Sequence, residues 1–138
     1  MADYKQMARR WYGEVMSAGK FEVIDELCSP DIVDHDPLPG TSPDLAGLKD
    51  AMRQIRTAFP DVEVTADDLI GEGDRLAVRS TMRGTHEGQF LGIPGSGKRI
   101  EVSAYDFVRF EGDRAVEHWG VIDSAALMEQ IGAAPAAS

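Results

Sequence analysis

Residues Gly84–Asp123, GTHEGQFLGIPGSGKRIEVSAYDFVRFEGDRAVEHWGVID, decide the reading of this chain. Ile100 to Phe110 and Ala115 to Ile122 are rich in β-branched and aromatic residues and flank Glu111-Gly112-Asp113, which predicts a β-hairpin. Successive strand residues point to opposite faces. Asp106 is in phase with Val102, Ala104 and Val108 and is therefore expected to face inward, with its neighbour Tyr105 outward. His118 has the opposite parity to Asp123, so an unbulged strand points the two apart. Asp123 shares its phase with Trp119 and Val121, and Trp119 is expected in the core. A carboxylate beside apolar residues resists leaving water. Two roles stay open for Asp123: acid/base in a pocket, or N-cap of the helix that follows, with Ser124 a competing cap.

Working outward, Leu76, Val78, Ser80 and Met82 alternate with polar residues in a preceding strand. Val62, Val64 and Ala66 do the same before a turn at Gly71-Glu-Gly-Asp74. Upstream the period is helical. Leu45, Leu48, Met52, Ile55 and Phe59 hold one face, and Ser42-Pro43-Asp44 supplies a cap, a first-turn Pro and an acid. Met7, Trp11 and Val15, with Tyr4, form another helical stripe that Gly19 closes. Phe21, Ile24, Leu27 and Cys28 predict a short helix stopped before Pro30, and Asp31 to Pro37 a brief extended segment. Ser124 to Ile131 predicts a last short helix, and residues 132–138 a frayed tail. Helices first and a strand meander after them predict one α+β domain over residues 1–138, with helices packed on one face of a curved antiparallel sheet. Such a sheet encloses a cone, and the helices cover its mouth.

Composition excludes several functions. A formal net charge of -10, with Arg9-Arg10 and Lys98-Arg99 as the only adjacent basic pairs, argues against nucleic acid. No apolar run approaches the ~20 residues that span a bilayer. The amino-terminal stretch lacks the apolar core of a signal peptide, so a cytoplasmic location is expected. The single Cys28 excludes an internal disulfide, and no ligand set for zinc is apparent. Gly92-Ile-Pro-Gly-Ser-Gly-Lys98 lacks the Gly-x-x-x-x-Gly-Lys-Ser/Thr pattern and leads into a strand, which argues against a nucleotide site.

The order of elements resembles the nuclear-transport-factor-2-like (NTF2-like, cystatin-like) cone fold. GTHEGQFLGIPGSGKRIEV and DFVRFEGDRAVEHWGVID are similar to SnoaL-like polyketide cyclases. The resemblance implies a cofactor-free homodimer that pairs through its sheet, with a deep apolar pocket for a small oxygenated molecule. It also implies ring closure by aldol chemistry with one Asp as acid/base, and the position matched to that Asp is Asp123. A single carboxylate can take a proton from carbon and return it to the new alkoxide.

His35 lies between Asp34 and Asp36, which favour its charged form. It is expected either to orient a substrate carbonyl or to pair with its neighbours in a loop. His86, at a strand end, is expected either at the pocket mouth or fixing the loop. Asp123, His35 and His86 are thus the catalytic candidates. Tyr12, Met52, Phe59, Tyr105, Asp106, His118 and Trp119 are candidate substrate contacts. A ketosteroid-isomerase-like enolisation, water addition to an epoxide, and a non-catalytic binding module are the alternative functions.

Overall fold

The computed structural model describes residues 3–132, so the expected frayed tail falls, but for Gly132, outside the described residues. α1 (Tyr4–Arg10) starts at Asp3, whose carboxylate accepts the Gln6 N–H. It runs without a break into a π-helical segment, Trp11–Ser17, and stops at Gly19, where φ is +70°. π-helical turns are rare and cluster at functional sites. This one carries Tyr12 and Val15 inward.

α2 (Val23–Leu27) gives way directly to β1 (Cys28–Asp34), a longer strand than the sequence suggested. Pro30 is tolerated because β1 lies at a sheet edge. α3 (Leu45–Ala58) buries Leu48, Ala51, Met52 and Ile55 along one stripe. Its cap is Asp44, which accepts from Gly47 N, and not Ser42, which instead donates to the Asp44 carboxylate. The helix begins two residues later than expected, and the Pro43 carbonyl before it accepts the Asp34 N–H at the end of β1.

β2 (Glu63–Glu72), β3 (Arg75–Thr85), β4 (Arg99–Glu111) and β5 (Arg114–Ile122) form the expected antiparallel meander. Both tight hairpins turn on a Gly-Asp pair, with Gly73 at φ +60° and Gly112 at φ +59°. β1 adds to β5 in parallel, so the sheet order is β1-β5-β4-β3-β2 and one edge departs from the antiparallel expectation. Bulges at Asp67 and Val116 leave those residues without a partner and sharpen the curl of the sheet. α4 (Ser124–Gln130) follows β5 and buries Leu127. Among the described residues no helix is long and apolar enough to cross a membrane.

Candidate active site

The concave face of the sheet, the π-helical segment and α3 enclose a cavity of about 490 Å³. Val78 and Met82 of β3, Val108 and Phe110 of β4, and Met52 and Ile55 of α3 are among its mostly apolar lining. A stripe of polar groups crosses this wall: Tyr12, Asp34, Asp36, Ser80, Asp106 and His118. Among the described residues no Lys or Arg side chain is in the lining.

His118 is the centre of the stripe. The bulge at Val116 resets β5 so that both Ala115 and His118 face inward. Its Nδ1 lies 2.9 Å from Asp34 Oδ1 and its Nε2 2.7 Å from Asp106 Oδ1. A neutral imidazole has one donor nitrogen and would turn a lone pair toward one of these carboxylates, whereas the imidazolium donates to both. Burial alone would lower the His118 pKa. The hydrogen bonds to Asp106 and Asp34, together with their charges, outweigh it and raise the pKa to about 10. Asp34 is buried, which pushes its pKa up, but its bond to His118 and the imidazolium charge bring it below the usual value. The Asp36 N–H also donates to Asp34 Oδ1, and Asp36 Oδ2 accepts the Gly120 N–H.

Asp106 is held from its other side by Tyr12, whose hydroxyl donates to Oδ2 at 2.8 Å. Burial and the adjacent Asp106 charge push the Tyr12 pKa well above its ordinary value, so the phenol remains a donor. A carboxylate offers about four lone-pair positions, so these two bonds leave Asp106 capacity for a substrate proton. Gly120 is directly across from Asp106 in the sheet. A Cβ at Gly120 would lie 2.8 Å from His118 Nε2 and closer still to Asp106 Oδ1. Only glycine lets the Asp106–His118 bond lie flat across β5.

Both ring nitrogens of His118 are engaged by carboxylates, which leaves neither free to ligate a metal. Among the described residues no group of three or more His, Cys, Asp or Glu is arranged to hold a metal ion. Cys28 lines the cavity, but burial raises its thiol to about 12, so it is not a thiolate nucleophile at neutral pH.

Of the residues named from sequence, Tyr12, Met52, Asp106 and His118 line the cavity and the others do not. Asp123 caps α4: its Oδ1 accepts the Ala126 N–H at 3.0 Å, and the side chain is exposed. The parity that separates it from His118 holds, but the phase it shares with Trp119 and Val121 is that of the outer sheet face. Trp119 is there, stacked on His35 at 4.5 Å and edge-on to Phe107, and is not a core residue. His35 binds Glu117, which also binds Arg109, on the same outer face. Tyr105 is outside too, 49% exposed. His86 is fully buried against Phe59. It fixes the loop before β4, with Nδ1 3.0 Å from Ser96 Oγ and its backbone bonded to Lys98 and Gly97. Phe59 packs on His86 and Phe90 in the core.

Asp34, Asp36 and Ser80 were not picked out from sequence. The signal was present for the first two. Ile32 is apolar and inward, so alternation puts Asp34 on the inner face and His35 on the outer one.

A family model described as SnoaL-like polyketide cyclase matches residues 6–131. Three solved structures are similar over almost the whole chain. TsrD from Streptomyces laurentii is 28% identical, with 94% of this chain and 95% of that one covered and a TM-score of 0.86. IdmH from Streptomyces antibioticus, a proposed polyketide cyclase, is 32% identical, with 93% and 97% covered and a TM-score of 0.81. AclR from Streptomyces galilaeus, a proposed hydroxylase, is 28% identical, with 95% and 96% covered and a TM-score of 0.81. Among curated proteins none matches the chain.

Proposed function

The chain belongs to the SnoaL-like polyketide cyclase family, and from that premise we propose that it closes or isomerises a small, neutral, oxygenated molecule by acid/base chemistry centred on Asp106. The observation that carries this reading is a carboxylate on the wall of an apolar cavity, held by a phenol and an imidazolium.

In the proposed reaction Asp106 takes the proton from a carbon next to a substrate carbonyl, and the electron pair moves to the carbonyl oxygen as an enolate. Protonated Asp106 holds the Tyr12 hydroxyl less strongly, which frees that hydroxyl to donate to the enolate oxygen. The His118 imidazolium, kept charged and oriented by Asp34, lowers the cost of negative charge in an apolar surrounding. The enolate carbon then attacks a second carbonyl. Asp106 returns its proton to the resulting alkoxide, and the carboxylate is regenerated. Where no second carbonyl is in reach, reprotonation at carbon gives isomerisation. The absence of Lys and Arg from the lining, beside three carboxylates and one imidazolium, disfavours anionic substrates.

α-Tetralone is a suitable probe because it is a compact bicyclic ketone with exchangeable α-protons. The protein is expected to accelerate exchange of those protons in deuterium oxide, followed by proton NMR. Binding without exchange would instead identify a binding module. We also propose that two copies of the chain pair through the outer sheet face. In support, Tyr105, Phe107 and Val121 are 49%, 39% and 64% exposed there.

A further inference from the structure

Ser80 is a polar member of the cavity wall that the proposed reaction leaves unused. It lies in the middle of β3, between Ala66 on β2 and Ala104 on β4. Only 1% of its surface is exposed, and it lines the cavity in phase with Val78 and Met82. None of the side-chain hydrogen bonds among the described residues involves its hydroxyl, and the fully buried side-chain polar atom without a partner is His86 Nε2, not Ser80 Oγ. A hydroxyl turned to an apolar wall without a protein partner adds nothing to stability that an Ala would not. Ser80 and its cross-strand neighbour Ala104 both line the cavity, so a ligand held there can reach the hydroxyl. Val78 is directly opposite Asp106, which makes Ser80 the diagonal neighbour of Asp106. Diagonal neighbours of this kind are about 7–8 Å apart.

We propose that Ser80 is a specificity residue that hydrogen-bonds a second oxygen substituent of the substrate, one ring or so away from the carbonyl that reacts at Asp106. This inference rests on the reading of Asp106 given above and narrows the substrate class to molecules with at least two oxygens on one edge. A cavity of about 150 Å³ holds a benzene ring, so 490 Å³ has room for two or three fused rings carrying such oxygens. A site built to bond an oxygen discriminates against the analogue that lacks it, because the buried hydroxyl is then left unpaired.

The test is calorimetric titration of wild type and Ser80→Ala with α-tetralone and with α-tetralones hydroxylated at successive positions of the aromatic ring. At least one hydroxylated probe is expected to bind wild type about three- to tenfold more tightly than α-tetralone. That gain is expected to vanish in Ser80→Ala, while affinity for α-tetralone itself stays the same. The melting temperature of ligand-free Ser80→Ala is expected to equal or exceed that of wild type. The proposal is overturned if no hydroxylated probe shows a gain, if the gain survives in Ser80→Ala, or if the variant melts several degrees lower, as loss of a structural bond would require. Exchange of α-protons separates this outcome from the parent reading. Exchange that survives Asp106→Asn sinks the acid/base role and leaves the Ser80 binding gain standing, and loss of the gain with exchange intact sinks only the role of Ser80.

Discussion

Asp34 and Asp123 are both carboxylates next to a strand end, and their surroundings give them opposite fates. Asp34 is turned into the cavity wall, where only its bonds to His118 and to the Asp36 N–H make burial tolerable. Asp123 faces solvent and satisfies a free N–H in the first turn of α4. Asp123→Ala is therefore expected to lower stability by about 1 kcal/mol in urea denaturation and to leave α-proton exchange at the wild-type rate. A variant that folds normally but has lost exchange would restore Asp123 to the chemistry. The cap was legible in Asp-Ser-Ala-Ala from the start, as one of two readings. What the sequence could not supply was which phase of β5 faces inward, because the bulge at Val116 shifts that phase by one residue and no residue type announces it.

At the scale of elements, the site depends on how β1, β4 and β5 lie beside each other. Asp106 was legible as inward because β4 is unbulged around it and alternates cleanly with Val102, Ala104 and Val108. Asp34 was open to the same reading by alternation with Ile32, but its bond to His118 was not, because that partner comes from a strand more than 80 positions away, through a parallel pairing that local periodicity does not encode. Gly120 belongs to the same category. Its lack of a side chain has meaning only once β4 has placed Asp106 across from it. Gly120→Ala is expected to push Asp106 and His118 apart. The cost is about 1.5–3 kcal/mol, the range for a bond to a charged group, read from urea denaturation, together with a large fall in exchange. Far-UV circular dichroism should remain that of the parent. Unchanged stability and exchange would show that the Asp106–His118 bond is not held by this close approach.

For the molecule as a whole, the two faces of one sheet divide the work. The inner face carries the cavity and its polar stripe. The outer face carries Tyr105, Phe107 and Trp119 beside the His35–Glu117–Arg109 network. Light scattering is expected to give the mass of a dimer for the parent and of a monomer for Tyr105→Glu with Phe107→Glu, since charges cannot be buried at an apolar contact without partners. A parent that stays monomeric at high micromolar concentration would refute pairing through this face. The architecture itself was legible, because periods of two and 3.6 and the Gly-Asp turns are local properties. The assignment of the reacting carboxylate was not, because it requires knowing which residues share a cavity. That assignment is the central claim, and exchange of the α-protons of α-tetralone in deuterium oxide tests it most directly. The account predicts acceleration by wild type and by Asp123→Asn, and a loss of about a hundredfold or more in a folded Asp106→Asn. Exchange that survives Asp106→Asn and disappears in Asp123→Asn would contradict it.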